Sequence, residues 1–250
     1  MGTHAVVTGG GSGIGLAIAR ALLGAGHAVT IMGRNQARLD EALAALPGAR
    51  AIACDVTDPA DVERAFADAV AAAGPVAILV NNAGAAPSAP FGKTSLADWR
   101  QTIDVNLMGA VHAIQQVLDP MRELPSGRII NIASTAALKG YAYVSAYAAA
   151  KHALLGLTRS LALELSSLNL TINAICPGFA DTDIIRDSVA RIVAKTGRTE
   201  AEAMAAFTSA NPQKRLIDPE EVAATVLWLV SDAARSVTGQ AIAIAGGEVM

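Results

Sequence analysis

Residues 8–15 read Thr-Gly-Gly-Gly-Ser-Gly-Ile-Gly, and they join an apolar run at residues 5–8 to a segment of helical period that begins at Ile14. Glycine permits a tight turn and a close approach of the backbone to a bound group because it has no Cβ. A glycine-rich turn between a first strand and a first helix also directs the free N–H groups of the helix toward an anion. The stretch therefore predicts a dinucleotide-binding unit in which the pyrophosphate faces the helix N-terminus.

Short apolar runs alternate with longer segments of helical period along the rest of the chain, which is typical of βαβ units. The predicted strands lie near residues 5–8, 28–32, 49–53, 77–81, 128–132, 171–175 and 241–244. The predicted helices lie near residues 14–23, 35–46, 59–72, 96–122, 146–165 and 220–230. This pattern predicts an α/β fold, a doubly wound, Rossmann-like parallel sheet of seven strands with helices on both faces, in a single domain over residues 1–250. The alternation breaks only at about residues 178–215, where we expect a substrate lid.

The composition narrows the classes of partner. Hydrophobic residues make up 52% of the 250 residues, charged residues 16%, and the net charge is -3, so neither nucleic acid nor an anionic membrane surface is expected. A small-molecule substrate and a homo-oligomer, a dimer or tetramer, are favoured. The N-terminal residues do not resemble a signal peptide, and charges or Gly and Pro interrupt every long apolar stretch, so we expect a cytoplasmic location. The four histidines and two cysteines show no metal-ligand spacing, and no metal is expected.

Tyr147 and Lys151 are one helical turn apart and therefore share a helix face. A free tyrosine loses its proton near pH 10, and a fixed ammonium beside it would lower the pKa of the phenol. Ser134, at the end of the fifth predicted strand, would hold the oxygen that is protonated. By itself the pair could equally be a buried tyrosine beside a lysine that reaches solvent. Tyr141 and Tyr143 lack a lysine four residues later, so Tyr147 is the candidate acid/base.

The glycine spacing, Thr-Gly-x-x-x-Gly-x-Gly, resembles that of the short-chain dehydrogenase/reductase family, and the resemblance extends over the whole chain. Its general pattern is similar to that of 3-oxoacyl thioester reductases and 3-hydroxyacyl dehydrogenases. Outside the loop, the matching residues are Asp55, Asn81, Asn82, Ala83, Gly84, Asn106, Ser134, Tyr147, Lys151, Pro177 and Gly178.

This resemblance implies NAD(P)-dependent interconversion of a carbonyl and a secondary alcohol, with Tyr147 as general acid/base. It implies that Lys151 hydrogen-bonds the nicotinamide ribose, that Ser134 orients the substrate oxygen, and that Asn106 holds a water that relays protons. The implied catalytic residues are Asn106, Ser134, Tyr147 and Lys151. The implied cofactor-binding residues are Gly9, Gly11, Ser12, Gly13, Ile14, Gly15, Arg34, Asp55, Val56, Asn82, Ala83, Gly84, Tyr147, Lys151, Pro177, Gly178 and Thr182.

Arg34 indicates which dinucleotide is preferred. A free ribose 2′-hydroxyl is usually held by an acidic residue after the second strand, whereas a 2′-phosphate requires an arginine. Here Met32 and Gly33 are followed by Arg34 and Asn35, so NADP(H) is favoured and NAD(H) is possible. The alternative is that Arg34 caps a surface turn, because Ser12 stands where many NADPH-using relatives carry a second basic residue.

The lid suggests a largely hydrophobic carbonyl substrate. Its apolar candidates are Ile184, Ile185, Val189, Ile192, Val193, Met204 and Phe207, and its basic candidates for the phosphates of a thioester carrier are Arg186, Arg191, Lys195 and Arg198. A solvated basic helix face explains the latter equally well. The alternatives to a thioester reductase are a secondary-alcohol dehydrogenase that acts on other substrates and a non-catalytic dinucleotide sensor. A sensor would be expected to lack Ser134, Tyr147 or Lys151.

Overall fold

A computed structural model describes residues 3–250, with the exception of the side chain of Ile184. Over these residues the strands are β1 (His4–Thr8), β2 (Ala28–Gly33), β3 (Arg50–Ala53), β4 (Val76–Asn81), β5 (Gly127–Ile132), β6 (Leu170–Pro177) and β7 (Ala241–Ile244). They form one parallel seven-stranded sheet in the order β3-β2-β1-β4-β5-β6-β7. The strand order reverses between β1 and β4, and ligands of such sheets bind at the carboxyl ends of the strands at this point.

The helices connect consecutive strands and cover both faces of the sheet. They are α1 (Gly13–Gly24), α2 (Gln36–Ala44), α3 (Pro59–Ala73), α4 (Leu96–Ile103), α5 (Gly109–Arg122), α6 (Ser145–Glu164), α7 (Asp183–Thr196), α8 (Glu200–Thr208) and α9 (Pro219–Val230). Short 3₁₀ turns occur at Phe91–Lys93, Thr135–Ala137 and Asp232–Ala234. The predicted fold class, a doubly wound α/β domain with seven parallel strands, is confirmed.

The strands are buried on both sides because two apolar layers enclose the sheet. One layer joins alternate residues of β1 and β2 to α1 and α9, and includes Ile18, Leu22, Ile31 and Val226. The opposite layer packs α3 and α5 against the other face. This double burial explains why the strands read as continuous apolar runs in the sequence rather than as alternating ones.

The helix predicted over residues 96–122 is wrong in one respect, because a π-helical segment, Asp104–Met108, separates α4 from α5. Asn106 lies in this segment, and its Nδ2 donates to the carbonyl oxygen of Thr102 at 2.9 Å. An amide side chain that bonds the backbone four residues earlier competes with the regular helix ladder. Single π turns inside helices often coincide with functional sites.

The region from residue 178 to 215 contains α7 and α8, and no strand is found among its described residues. Ile185, Val189 and Ala203 form a small apolar cluster there, with Phe179, Met204 and Phe207 packed against it. The two helices therefore have a core of their own at the carboxyl edge of the sheet. The side chain of Ile184 lies outside the described residues.

A buried histidine leads to a prediction about pH-dependent stability. Nδ1 of His4 lies 2.8 Å from the carbonyl oxygen of Gly74, and Nε2 lies 2.9 Å from Oγ1 of Thr30. One donor and one acceptor contact suit the neutral ring, and burial lowers the pKa of His4 below 6.5. The unfolded chain therefore binds more protons than the folded chain below about pH 6.5, and stability falls as the pH decreases.

We expect the free energy of unfolding, measured by urea denaturation, to decrease by up to about 1 kcal/mol between pH 7.5 and 5.5. His4→Gln should reduce this pH dependence, whereas the control substitution of exposed His152, His152→Gln, should retain it. If the free energy of unfolding of His4→Gln depends on pH as strongly as that of the wild type, other titratable groups cause the decrease.

Candidate active site

The glycine loop between β1 and α1 has backbone contacts so close that a Cβ would clash at several of its glycines. Gly9 and Gly13 have positive φ angles of 65° and 51°. A Cβ on Gly15 would lie 2.3 Å from the carbonyl oxygen of Gly9, far below contact distance. Ser12 is the N-cap residue of α1, so the first N–H groups of the helix face this loop. The geometry fits the pyrophosphate of a dinucleotide.

Asn82 and Thr8 tie the loop to the end of β4. Nδ2 of Asn82 donates to the carbonyl oxygens of Thr8 and Gly9, at 3.0 and 3.1 Å. The hydroxyl oxygen of Thr8 accepts from the backbone N–H groups of Asn82 and Ala83, at 3.0 and 3.1 Å. These bonds join the carboxyl ends of β1 and β4. Asn82 and Ala83 are among the predicted cofactor-binding residues. Thr8, which opens the glycine motif, is not among them; its signal in the sequence is a hydroxyl at the end of an apolar strand.

Arg34 follows β2 and is exposed. Its role as a turn cap is not supported, because Asn35 is the N-cap residue of α2 and its side chain accepts from the N–H of Arg38 at 3.2 Å. The first turn of α2 lies near the glycine loop, since a Cβ on Gly11 would be 3.5 Å from the carbonyl oxygen of Arg38. An exposed guanidinium at this position can meet a phosphate.

Asp55 and Val56 lie in the turn after β3. Oδ1 of Asp55 accepts from the backbone N–H and the hydroxyl of Thr57, at 3.0 and 2.8 Å. The side chain of Val56 is buried, and its carbonyl oxygen lies 3.0 Å from Nδ1 of His112. The carboxylate of Asp55 thus shapes the turn at the carboxyl edge, and any contact of Val56 with a cofactor would have to come from its backbone.

The structure brings Ser134, Tyr147 and Lys151 together at the carboxyl end of β5. Nζ of Lys151 donates to the carbonyl oxygen of Ile132 at 2.9 Å and lies 5.6 Å from the centroid of the Tyr147 ring. Ser134 follows Ile132 by two residues, so α6 packs the face that carries Tyr147 and Lys151 against the end of this strand. Lys151 is buried, with 4% of the residue exposed, and does not reach solvent as the alternative interpretation required.

The electrostatics of the pair differ from the sequence-based expectation. Burial raises the pKa of Tyr147, and the hydrogen bond from the Ser134 side chain acts in the opposite direction. Burial also lowers the pKa of Lys151 to about 8. On balance the pKa of the phenol is therefore raised and not lowered as expected, because desolvation is the largest effect on both groups.

Ser134 also has a structural role. Its Oγ accepts from the backbone N–H of Ala136 at 3.1 Å and caps the 3₁₀ turn Thr135–Ala137. Its backbone N–H bonds Cys176, whose thiol is buried beneath the site. Ser134 is thus a turn-capping serine, and the cap fixes its hydroxyl next to Tyr147.

Asn106 lies between the β4 loop and Lys151. Its Nδ2 donates to the carbonyl oxygen of Ala85 at 2.8 Å, and its Oδ1 accepts from the N–H of Ala85 at 3.3 Å. A Cβ on Gly84 would lie 2.7 Å from Oδ1 of Asn106 and 3.6 Å from Nζ of Lys151. Only glycine fits this gap, and Asn106 holds the backbone beside it.

Thr182 is the N-cap residue of α7 and lies over the start of α1. Its methyl carbon is 3.0 Å from the position that a Cβ on Gly13 would take. Asp181 and Asp183, on either side of Thr182, both pair with Arg186, at 3.0 and 3.1 Å.

Pro177 is the last residue of β6, and Gly178 donates its N–H to the carbonyl oxygen of Ile244 at 2.9 Å. The implied cofactor residues from the glycine loop to Gly178 thus follow the carboxyl ends of neighbouring strands.

Residues 3–250 contain no group of three or more His, Cys, Asp and Glu side chains that could hold a metal ion. The helices of the same residues include none with both the length and the apolar character needed to cross a membrane.

Comparison with known proteins places this geometry in a family. The family model described as short chain dehydrogenase matches residues 3–192. A D-beta-hydroxybutyrate dehydrogenase of Rhizobium meliloti is 35% identical over 250 residues, which cover 97% of each chain. The 3-oxoacyl-acyl-carrier-protein reductase MabA of Mycobacterium tuberculosis is 36% identical over 242 residues, covering 97% of this chain and 91% of the reductase.

A solved structure agrees with these matches. A variant of the actinorhodin polyketide ketoreductase, crystallised with NADPH, superposes with a TM-score of 0.94 at 34% identity, covering 99% of this chain and 97% of the ketoreductase. The predicted resemblance is confirmed: the chain belongs to the short-chain dehydrogenase family and is an NAD(P)-dependent oxidoreductase that interconverts carbonyl and alcohol groups.

Proposed function

We propose that this enzyme uses NADPH to reduce a 3-oxoacyl thioester to the secondary alcohol. The observation that carries the proposal is the convergence of Ser134, Tyr147 and Lys151 at the sheet edge that also holds the glycine loop. NADPH supplies the hydride when it is bound. The chain supplies the proton, the orientation of the carbonyl and the exclusion of water.

Tyr147 is the proposed general acid. Burial raises the pKa of its phenol, so the group is protonated at neutral pH and can donate to the carbonyl oxygen as the carbonyl carbon receives hydride. Ser134 orients that oxygen, since its hydroxyl faces the phenol from the capped turn. Lys151 is fixed on the carbonyl of Ile132, where we assign it to the cofactor ribose and to stabilising the phenolate that forms. Asn106 holds the Ala85 backbone, and its assignment to a proton-relaying water remains a prediction.

The cofactor is proposed to lie along the carboxyl edge. The pyrophosphate would be held by residues of the glycine loop: Gly9, Gly11, Ser12, Gly13, Ile14 and Gly15. The adenosine half would contact the turns after β3 and β4, at Asp55, Val56, Asn82, Ala83 and Gly84. Pro177, Gly178 and Thr182 would border the nicotinamide. Arg34 favours the 2′-phosphate of NADPH, and the NADPH bound to the actinorhodin ketoreductase supports this choice. NAD(H) is the alternative cofactor.

The relatives support two different classes of substrate. The name of MabA, a 3-oxoacyl-acyl-carrier-protein reductase, supports a 3-oxoacyl thioester, and the name of the polyketide ketoreductase supports a ketone. The exposed Lys195 and Arg198 of the lid could meet carrier phosphates. The D-beta-hydroxybutyrate dehydrogenase supports the second candidate, a dehydrogenase of non-thioester alcohols. The apolar lid residues Ile185 and Val189 are buried in the core of the lid, whereas Met204 and Phe207 pack against that core and are only partly buried. Met204 and Phe207 are therefore the better candidates for contact with an acyl chain.

We also propose a homo-oligomer, a dimer or tetramer, in the cytoplasm. Large apolar side chains are exposed at Phe91, Leu96, Leu163 and Trp228, with 71%, 75%, 79% and 43% of each residue accessible. Contiguous exposed apolar surface is typical of subunit contacts, and we assign these side chains to such surface. Cys54 and Cys176 are free thiols, which agrees with a reducing compartment.

Tyr147→Phe should lower kcat for carbonyl reduction by at least about 100-fold, because the variant cannot donate the proton. NADPH oxidation would be measured with a 3-oxoacyl thioester and with a ketone of matched chain length, and the wild type should favour the thioester. Tyr143→Phe is the control, since Tyr143 is exposed and has no lysine one turn later. Undiminished activity in Tyr147→Phe would contradict the proposed role of Tyr147 as general acid.

Arg34→Ala should raise KM for NADPH by about 10- to 100-fold, the cost of one charge-assisted contact to phosphate, and leave KM for NADH unchanged. Steady-state kinetics with both cofactors test this. The exposed Arg235, before β7, provides the control substitution Arg235→Ala. A wild-type enzyme that strongly prefers NADH would overturn the assignment.

Leu163→Glu should reduce the molar mass measured by light scattering, because a charge cannot be buried in an apolar contact without a partner. The neighbouring exposed Glu164 provides the control Glu164→Gln. If the wild type is a monomer, the proposed assembly is wrong.

A further inference from the structure

The segment after β7 packs against the substrate side of the sheet. Gly246 and Gly247 have positive φ angles of 59° and 90°. A Cβ on Gly246 would lie 2.2 Å from Oδ1 of Asn211, and one on Gly247 would lie 3.3 Å from Cγ of Pro212. The two glycines therefore allow the segment to lie directly on the end of the lid region, and they place Glu248 between two loops of the site.

The carboxylate of Glu248 is almost completely enclosed, with 2% of its side chain exposed. Its Oε1 accepts from the hydroxyl of Tyr141 at 2.5 Å and from Nζ of Lys139 at 3.0 Å. A buried carboxylate is costly unless it is paired and hydrogen-bonded. Lys139 is partly exposed, whereas the bond with Tyr141 lies inside the protein.

Tyr141 connects Glu248 to the loop that begins at Ser134. Its single hydroxyl proton goes to Glu248, so the Thr135 hydroxyl donates to the Tyr141 oxygen at 2.5 Å. Burial and then the bond with Glu248 raise the pKa of Tyr141, and it stays a donor at neutral pH. Thr135 is the residue directly after Ser134.

The same carboxylate borders the loop after β6. A Cβ on Gly178 would lie 3.2 Å from Oε2 of Glu248, and the ring of Phe179 packs edge-on against the Tyr141 ring at a centroid distance of 6.1 Å. Glu248 and Tyr141 thus stand between the loop of Ser134, which orients the substrate, and the loop of Gly178, which borders the nicotinamide.

We propose that Glu248 is a positioning residue for carbonyl reduction: through Tyr141 and Thr135, it sets Ser134 relative to the loop at Gly178. The inference rests on the proposed function for the roles of these two loops. A displacement of about 1 Å in such a geometry can reduce a rate by about 100-fold, so one hydrogen bond remote from the reacting atoms can control the rate and the face of the carbonyl that is reduced.

The test compares Glu248→Ala, Glu248→Gln and Tyr141→Phe. Glu248→Ala and Tyr141→Phe should each lower kcat by about 10- to 100-fold, leave KM for NADPH within about twofold, and increase the fraction of the minor alcohol enantiomer. Glu248→Gln keeps an oxygen that accepts from Tyr141 and should restore most of kcat and the enantiomer ratio. The control is Met250→Ala, a fully exposed position two residues away, which should match the wild type.

Three results would overturn the proposal: wild-type kcat and enantiomer ratio in Glu248→Ala, equal losses in Glu248→Gln and Glu248→Ala, or a loss accompanied by a matching rise in KM for NADPH. The last would indicate general structural damage.

Hydrogen exchange separates this inference from the proposed function. Glu248→Ala should accelerate exchange in residues 135–141 and leave α1 unchanged, whether or not a substrate has been found. Unchanged exchange in residues 135–141 would show that Glu248 does not order this loop through Tyr141 and Thr135. An inactive wild type with accelerated exchange in the variant would instead overturn the proposed function alone.

Discussion

The hydrogen bonds of the Asn82 side chain to the carbonyl oxygens of Thr8 and Gly9 are the constraint on which the site depends. They join the ends of β1 and β4, where the strand order reverses and a crevice opens. Gly15 must lie against Gly9 and Asn82 for these bonds to form, because a Cβ would stand 2.3 Å from the Gly9 carbonyl oxygen. The glycine loop is therefore shaped by its contact with β4 as much as by the ligand that it is proposed to bind.

Burial has opposite consequences for the two central side chains of the site. It disfavours the charged form of each group, so the phenol of Tyr147 keeps its proton and the ammonium of Lys151 loses its proton more readily. The carbonyl oxygen of Ile132 accepts one hydrogen bond from Lys151 and offsets part of the desolvation cost.

Segments distant in sequence converge on the substrate side. The Asn106 amide holds the β4 loop at Ala85, the Ser134 hydroxyl caps its own turn, and Glu248 reaches back to Tyr141. The side chains of Asn106 and Glu248 are enclosed, and each is satisfied by a partner on another loop. Such contacts order irregular backbone at the edge of a rigid sheet, and this edge is where enzymes of this architecture carry function.

The sequence by itself determined the alternation of strands and helices, the glycine loop, and the choice of Tyr147 over Tyr141 and Tyr143. These are local properties, since apolar periodicity, the absence of a Cβ and the spacing of Tyr147 and Lys151 act within a few residues of chain. Only the tertiary structure decided the π segment at Asn106, the direction of the Tyr147 pKa shift and the contacts of Glu248. The reason is physical: desolvation and hydrogen bonds between residues more than 20 positions apart depend on which surfaces meet when the layers pack.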